Sequence, residues 1–480
     1  MPLLKFNIRR AGLVSFLLVL LSGCVSLSRS TSPSPETAWT PPPSVEKQPV
    51  PLPVPEIPPE LARTRQSWTL SNLLDIGLRN NTGARAAWQA ARAAAASLGV
   101  AESVLFPSLS FDLMGTKTMG SAVGGRFTFD FSSLAPTVSL SYTIFDFGLA
   151  AGLKSAREAL VAANFSQNAA LQAAILGIER DYYLYLAVRA LLAAQETAVK
   201  EARANLDAAE ARHSAGVATI LEVLQARTAL SNARLSLIST QGQIQNQKGA
   251  LATSMGLPAN TAYEVVDEMP SSLPLDRVKG EVDRFIDESQ ARRPDLAAAR
   301  AQVREARAQV GFVRSEGLPT LSVNGNVGRT YYNIGSPSNS YSVSVVLDVP
   351  LFRGFQVYYR LLQAKAEAEA ALTRMNQLEH EIILQVWTSY YSLATAAQRV
   401  RTAEDLVASA EQSYEGTLVS YKRGVNSILD LLTAENSLAA GRAQLIQAKS
   451  DWLQSLVQFE YDVGRLSPAA GPAPQGEHQP

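Results

Sequence analysis

The sequence predicts an α+β membrane protein. Long α-helical hairpins form a tube, and the four β-strands per chain would, in a trimeric assembly, give a twelve-stranded β-barrel. Three observations carry that expectation. The 480-residue chain contains itself twice: Gly216-Val217-Ala218-Thr219-Ile220-Leu221-Glu222 recurs 208 residues later as Gly424-Val425-Asn426-Ser427-Ile428-Leu429-Asp430. Nearly the same offset carries Pro107-Ser108-Leu109-Ser110 onto Pro319-Thr320-Leu321-Ser322, Tyr182-Tyr183 onto Tyr390-Tyr391, and Arg234 onto Arg442. A duplication of this period gives two large units rather than a solenoid, and two such units suit a pseudo-symmetric wall around an axis. Second, two spans free of proline, Pro136 to Pro258 and Pro350 to Pro468, are rich in helix formers. Third, each copy carries a pair of segments that alternate apolar and polar residues.

The elements follow in order. Residues 1–23 read as a signal peptide: Lys5, Arg9 and Arg10 precede an apolar run from Ala11 to Leu21, too short to span a membrane. Leu21-Ser22-Gly23-Cys24 resembles a lipobox, so Cys24, the only cysteine, is expected to be the lipidated (palmitate-bearing) N-terminus. Val25 in place of aspartate suggests sorting to the outer membrane by the rule for bacterial lipoproteins. Proline-rich residues up to 66 read as an extended tether. Repeat 1 is expected over 67–260, a linker over 261–280, repeat 2 over 281–466, and a disordered tail over 467–480.

Within each repeat a helical lead-in comes first, after Asn80-Asn81-Thr82 and after Arg293-Pro294-Asp295. Next come the strands. Leu109, Phe111 and Leu113 alternate with Ser108, Ser110 and Asp112, and Val138, Leu140, Tyr142 and Ile144 with serines and threonines. Leu321, Val323 and Val327, and then Tyr341, Val343, Val345 and Leu347, repeat the pattern. Strands of about 10–12 residues with loops near 115–136 and 330–340 are expected, the apolar face to lipid. A soluble sandwich edge shares this pattern. Four strands do not close a barrel, and unpaired edges in lipid are costly, so this reading requires oligomerisation.

The long helices complete each repeat: Leu149–His213 and Thr219–Ser254, then Phe355–Tyr421 and on to Val463, turning at Gly216 and Gly424. Helices of about 65 residues would be roughly 100 Å long. Ile220, Leu221, Leu224 and Leu230, repeated as Ile428, Leu429, Leu432 and Leu438, follow coiled-coil spacing. A solid antiparallel coiled coil, such as a lipid-anchored structural protein, satisfies the same periodicity.

Charge and composition narrow the function. Lys plus Arg and Asp plus Glu are 43 each, and removing residues 1–23 leaves a net of −3, too balanced for a nucleic-acid-binding face. Three histidines (His213, His380 and His478) and one cysteine leave little for catalysis or metal binding, and His380-Glu381 lacks the second histidine of a zinc-protease helix. No enzyme activity, cofactor or metal is expected.

The landmarks Arg293-Pro294-Asp295-Leu296, Leu318-Pro319-Thr320-Leu321-Ser322, Pro350-Leu351-Phe352-Arg353-Gly354 and Tyr421-Lys422-Arg423-Gly424-Val425 resemble those of the TolC-like outer-membrane efflux proteins, in their lipoprotein branch. The likeness covers nearly all of Trp68 to Leu466. It implies a homotrimeric channel-tunnel whose barrel crosses the outer membrane and whose tube meets a periplasmic adaptor linked to an inner-membrane transporter. Drug or other small-molecule efflux is the implied role; protein secretion and metal-ion efflux remain alternatives. The resemblance also implies a gate at the tips. Asp430 stands at the ring-forming aspartate position, with Glu222 its counterpart; acidic rings tune selectivity. Thr433 and Gln225 stand where a second aspartate can occur, and Asn426 and Ala218 where an arginine can. Tyr421 matches a gate tyrosine, replaced by His213 in the first copy. A gate with fewer charged contacts is therefore expected.

Overall fold

The computed structural model describes residues 67–122, 124, 126–276 and 280–466, all within one compact unit, Pro55–Pro480. Cys24, the signal, the tether and the tail lie outside the described residues. Repeat 1 contains β1 (Ser67–Trp68), α1 (Leu70–Asn80), α2 (Thr82–Glu102), β2 (Ser108–Ala122), β3 (Phe127–Asp146), α3 (Leu149–Ser214) and α4 (Ile220–Ser254). The linker carries β4 (Glu264–Val265). Repeat 2 contains α5 (Val282–Arg292), α6 (Pro294–Ser315), β5 (Thr320–Tyr332), β6 (Ser338–Asp348), α7 (Gln356–Lys422) and α8 (Ile428–Val463).

The proline-free spans form the expected hairpins. Helices α3 and α7 hold 66 and 67 residues, so each is about 100 Å long. All four long helices stop the same way. Gly216, Gly256, Gly424 and Gly464 take φ of 72°, 77°, 80° and 81°. The next residue then donates back across the last turn: Val217 N–H to Arg212 O at 3.0 Å, and Val425 N–H to Ser420 O at 2.9 Å. Two of these glycines also join helices end to end. Backbone of Asn80 and Asn81 crowds Gly256 and leaves no room for a Cβ, and Arg292 and Arg293 approach Gly464 so closely that a Cβ would fit only tightly. Thus α2 continues the column begun by α4, and α6 continues that of α8. Arg293 caps α6 beside Pro294 at its first turn, and its buried guanidinium donates to Asp295 (3.0 and 2.6 Å) and Gln385 (2.6 Å).

The helices form a wall of four columns, in the order α4 with α2, then α3, then α8 with α6, then α7. Three large apolar cores hold it, with a smaller cluster of Ile175, Val457 and Leu466. One, at mid-height, gathers Trp68, Leu73, Ile178, Leu251 and Met255; a second gathers Phe285, Val386, Trp452 and Phe459. The third lies towards the turns, with Leu206, Val223, Leu230, Tyr421, Leu431 and Leu438. A parallel pairing of β1 with β4 ties the start of repeat 1 to the linker. Helices α1 and α5, one preceding each lead-in, add Leu73 and Ile76 to the first core and Phe285 to the second; the apolar pattern singled out only α2 and α6.

The four long strands form one antiparallel sheet in the order β2-β3-β5-β6. Its register sets Leu109 opposite Leu140, Val138 opposite Val327 and Leu321 opposite Leu347 on one face. Ser110 faces Ser139, Ser141 faces Asn324 and Asn326 faces Ser342 on the other. From Leu321 to Val327 the apolar face runs about 20 Å along the strand, and Arg329 and Tyr331 continue the same face beyond it. None of the described helices is long and apolar enough to cross a membrane.

Two expectations need correction. Residues 115–136 are not a loop: β2 and β3 pair without a break from Ser108↔Ser141 to Ala122↔Phe127. Glycine, serine and a change of polarity hid the period-two signal there. The coiled-coil positions are not uniformly buried either. Leu230, Ile428, Leu432 and Leu438 are buried, but Ile220, Leu221, Leu224 and Leu429 are exposed. Helix α4 sits at the edge of the wall and α8 inside it, so one spacing meets two environments.

Candidate functional site

The hairpin turns place the predicted site residues at one end of the wall. Tyr421 is the last buried residue of α7, with 0% of its surface exposed. Its hydroxyl donates to Glu222 Oε2 on α4 at 3.2 Å, a contact between the two hairpins. Arg212 of α3 covers the ring at 4.6 Å and donates through Nη1 to the Tyr421 carbonyl at 2.5 Å. Burial and the adjoining Glu222 carboxylate push the phenol up to about 12, so it remains a donor throughout the physiological range.

Asp430 is used differently. Its carboxylate accepts from the Ser427 N–H at 3.0 Å and the Ser427 hydroxyl at 2.7 Å, while the Asp430 N–H donates to Ser427 Oγ. This is a capping box that satisfies the first turn of α8. The hydrogen bonds from Ser427 hold the fully exposed carboxyl below the usual aspartate range. Thr433 is exposed and bonds back to Leu429 O at 2.8 Å; Gln225 is half-buried on α4. The structure thus joins Tyr421 with Glu222 and keeps Asp430 and Thr433 on their own helix. His213, the counterpart of Tyr421, is exposed and bonds Ala218 O through Nδ1 at 2.9 Å. A carbonyl only accepts, so Nδ1 carries the proton.

Sequence reasoning missed Arg212. At the repeat offset it aligns with Ser420, so its basic side chain is an asymmetry between the copies, which is the signal that could have found it. It also missed a buried polar layer above the tips. Asn205 on α3, 1% exposed, donates to Glu435 Oε2 of α8 at 2.7 Å and lies 3.4 Å from the Tyr414 hydroxyl of α7. Burial pushes the Glu435 carboxyl up. Nearby, Arg442 of α8 bridges Glu201 of α3 (3.0 Å) and Glu411 of α7 (3.2 Å). Three columns are pinned together here.

A helical wall ending in paired turns, joined to a four-stranded sheet with one apolar and one polar face, defines a subunit of a membrane channel. The family model for outer membrane efflux proteins matches residues 73–257 and 285–464, one match per repeat. The chain belongs to this family of TolC-like outer-membrane efflux channels, which are not enzymes. The pyoverdine export outer membrane protein OpmQ of Pseudomonas putida is 28% identical over 472 residues, covering 93% of this chain and 97% of the relative. The toluene efflux pump outer membrane protein TtgC of Pseudomonas putida is 22% identical over 431 residues, covering 84% and 86%. The crystal structure of VceC from Vibrio cholerae superposes with a TM-score of 0.72 at 21% identity, covering 82% of this chain and 96% of that one. The protein is an outer-membrane component of an efflux pump, and so works in assembly with pump partners.

Proposed function

We propose that three copies of this chain close into a twelve-stranded barrel and a twelve-column tube, a passive conduit gated at the hairpin tips. The observation that carries this reading is the state of the edges. Strands β2 and β6 each have one in-chain neighbour, and an open edge in lipid leaves backbone groups unpaired. Both edge columns expose apolar side chains: Ile220, Leu224, Leu235 and Ile238 on α4, and Leu384, Trp387, Tyr391 and Leu406 on α7. Two different edges on one chain suit a head-to-tail contact that closes a ring.

At the tips, the Tyr421–Glu222 bond clasps the hairpins in the closed state, and Arg212 seats the tyrosine. Asp430, with Thr433 one turn on, contributes a polar ring at the entrance; Glu222 and Gln225 are their first-copy counterparts. The exposed Val217 and Val425 beside Gly216 and Gly424 offer an apolar surface to a periplasmic adaptor, which connects the channel to an inner-membrane transporter. Cys24 adds a lipid anchor in the outer membrane. The names of the relatives, pyoverdine export and toluene efflux, support a small-molecule cargo set by the transporter.

Side-view electron microscopy of the detergent-extracted protein tests the architecture. A three-fold cylinder with a wider membrane end is expected; a monomer or a solid rod would defeat the reading. In planar bilayers, Tyr421→Phe should raise single-channel conductance severalfold, and Asp430→Ala should lower cation preference. Values unchanged in both variants would remove the gate from the tips.

A further inference from the structure

The first strand pair changes its amphipathic pattern part-way along. Below Leu113 and Pro136 the apolar face is the lipid-side face, and the other carries Ser110, Ser139 and Ser141. Beyond that rung the lipid-side face becomes mixed, with Leu134 and Met119 among polar residues, and the serine-bearing face turns aromatic. The unbroken register puts Phe127, Phe129 and Phe131 on the same face as the serines. It puts Lys117 and Asp130, bonded at 3.2 Å, on the opposite face. The last rung of β3 with β5 is Ser133↔Tyr332, so the end of this pair projects past the four-stranded sheet by about 20 Å along the strand.

The aromatic patch is built rather than incidental. Phe129 lies so close over Gly120 on the facing strand that a Cβ there would collide with its ring. Phe131 packs between Phe129 (6.2 Å) and Tyr332 (6.1 Å, edge-on). Yet Phe127 and Phe129 remain 66% and 42% exposed. Lipid does not cover them, because they stand on the water side of the sheet and beyond the apolar band. The surface that faces them across a barrel axis is the same patch on another copy.

We propose that, in the three-copy barrel inferred above, the projecting ribbons turn these phenylalanines inward and form an aromatic collar that narrows the outer mouth of the channel. Each patch faces the equivalent patches of the other two copies across the lumen. A twelve-stranded barrel has a backbone radius of about 12 Å, and a phenylalanine reaches inward by roughly half of that. Three such faces restrict passage without sealing it, and an apolar ring admits apolar cargo more readily than hydrated ions. The tips and the collar would then be constrictions at opposite ends.

The test uses the full chain in the outer membrane, with a reporter that is independent of the tip gate. Ser139→Cys lies on the water-side face below the collar and is labelled from outside with a small maleimide or a bulky polymer maleimide; the parent chain controls for Cys24. The collar predicts slow bulky labelling. Adding Phe127→Ser, Phe129→Ser and Phe131→Ser together should speed it about tenfold while small-reagent labelling stays constant. Phe131→Ser alone, a milder change should the triple variant not insert, should give an intermediate rate. Bulky labelling at the parent rate in variants that native mass spectrometry shows to be trimers overturns the collar and leaves the channel reading intact. Absence of trimers in the parent would remove both.

Discussion

Ile220 and Ile428 each stand four residues after a turn glycine, yet Ile220 is 57% exposed and Ile428 is 4% exposed. The same divergence runs up both hairpins. Leu224 is 49% exposed and its counterpart Leu432 is 9% exposed. Arg227 and Arg234 of α4 are exposed, whereas at the equivalent places on α8 Glu435 is buried in the polar layer and Arg442 is half-buried beside it. His213 latches its own turn, and Tyr421 crosses to the other hairpin. Helix α8 lies between α3 and α7, while α4 has α3 on one side and no in-chain column on the other. Two hairpins of one pattern thus meet different surroundings, and the pattern follows place in the wall rather than ancestry. What α4 leaves uncovered is the surface that a neighbouring copy would fill.

The largest expected effect breaks or confirms that comparison directly. Ile428→Ala should destabilise the fold by about 2–5 kcal/mol, because it opens a cavity among three columns. Ile220→Ala should stay within about 0.5 kcal/mol in urea unfolding yet lower the temperature at which oligomers dissociate. Equal losses from both would mean that α4 is not an edge. The polar layer gives a smaller contrast. Asn205→Ala leaves the Glu435 carboxyl buried without its amide donor and should cost about 1–3 kcal/mol. Arg227→Ala removes only an exposed pair with Glu210 and should cost less than about 1 kcal/mol by the same measurement.

The smallest effect is a pH dependence. Glu179 on α3 is pushed up from 4.5 to about 7, first by burial and then by the nearby Glu460 carboxylate. The folded state therefore holds this proton more tightly than the unfolded chain. Its stabilising contribution is complete below about pH 4.5 and is lost as pH rises towards about 7. Thermal unfolding across that window should show a loss on the order of 1 kcal/mol that Glu179→Gln abolishes. At the repeat offset Glu179 aligns with Trp387, so the second hairpin carries no matching titration.

Much of the fold was legible because it repeats short-range rules. The helix formers between Pro136 and Pro258 and the glycines at 216 and 424 set helix lengths and ends within a residue or two. Period-two alternation marked the lower halves of all four strands. The upper half of β2 and β3 was misread because its apolar residues change faces, which a search for one continuous apolar face discards. Helices α1 and α5 were passed over because they are single short elements of 11 residues whose burial depends on docking against α3 and α7. At the tips, Tyr421, Glu222 and Asp430 were singled out by position, but their partners were not readable. Arg212 reaches Tyr421 across 209 positions, and Tyr421 reaches Glu222 across 199.

The sequence by itself determined the long helices, the duplication and the two-faced part of the sheet, because backbone propensity, turn glycines and side-chain periodicity act over a few residues. Tertiary structure alone decided which of two equivalent hairpins is interior and which acidic residue clasps a tyrosine rather than capping its own helix. It also decided where three columns share one polar layer. Those outcomes depend on which surfaces the docking of one repeat against the other covers. A duplicated pattern specifies the pieces twice and leaves their unequal burial to packing.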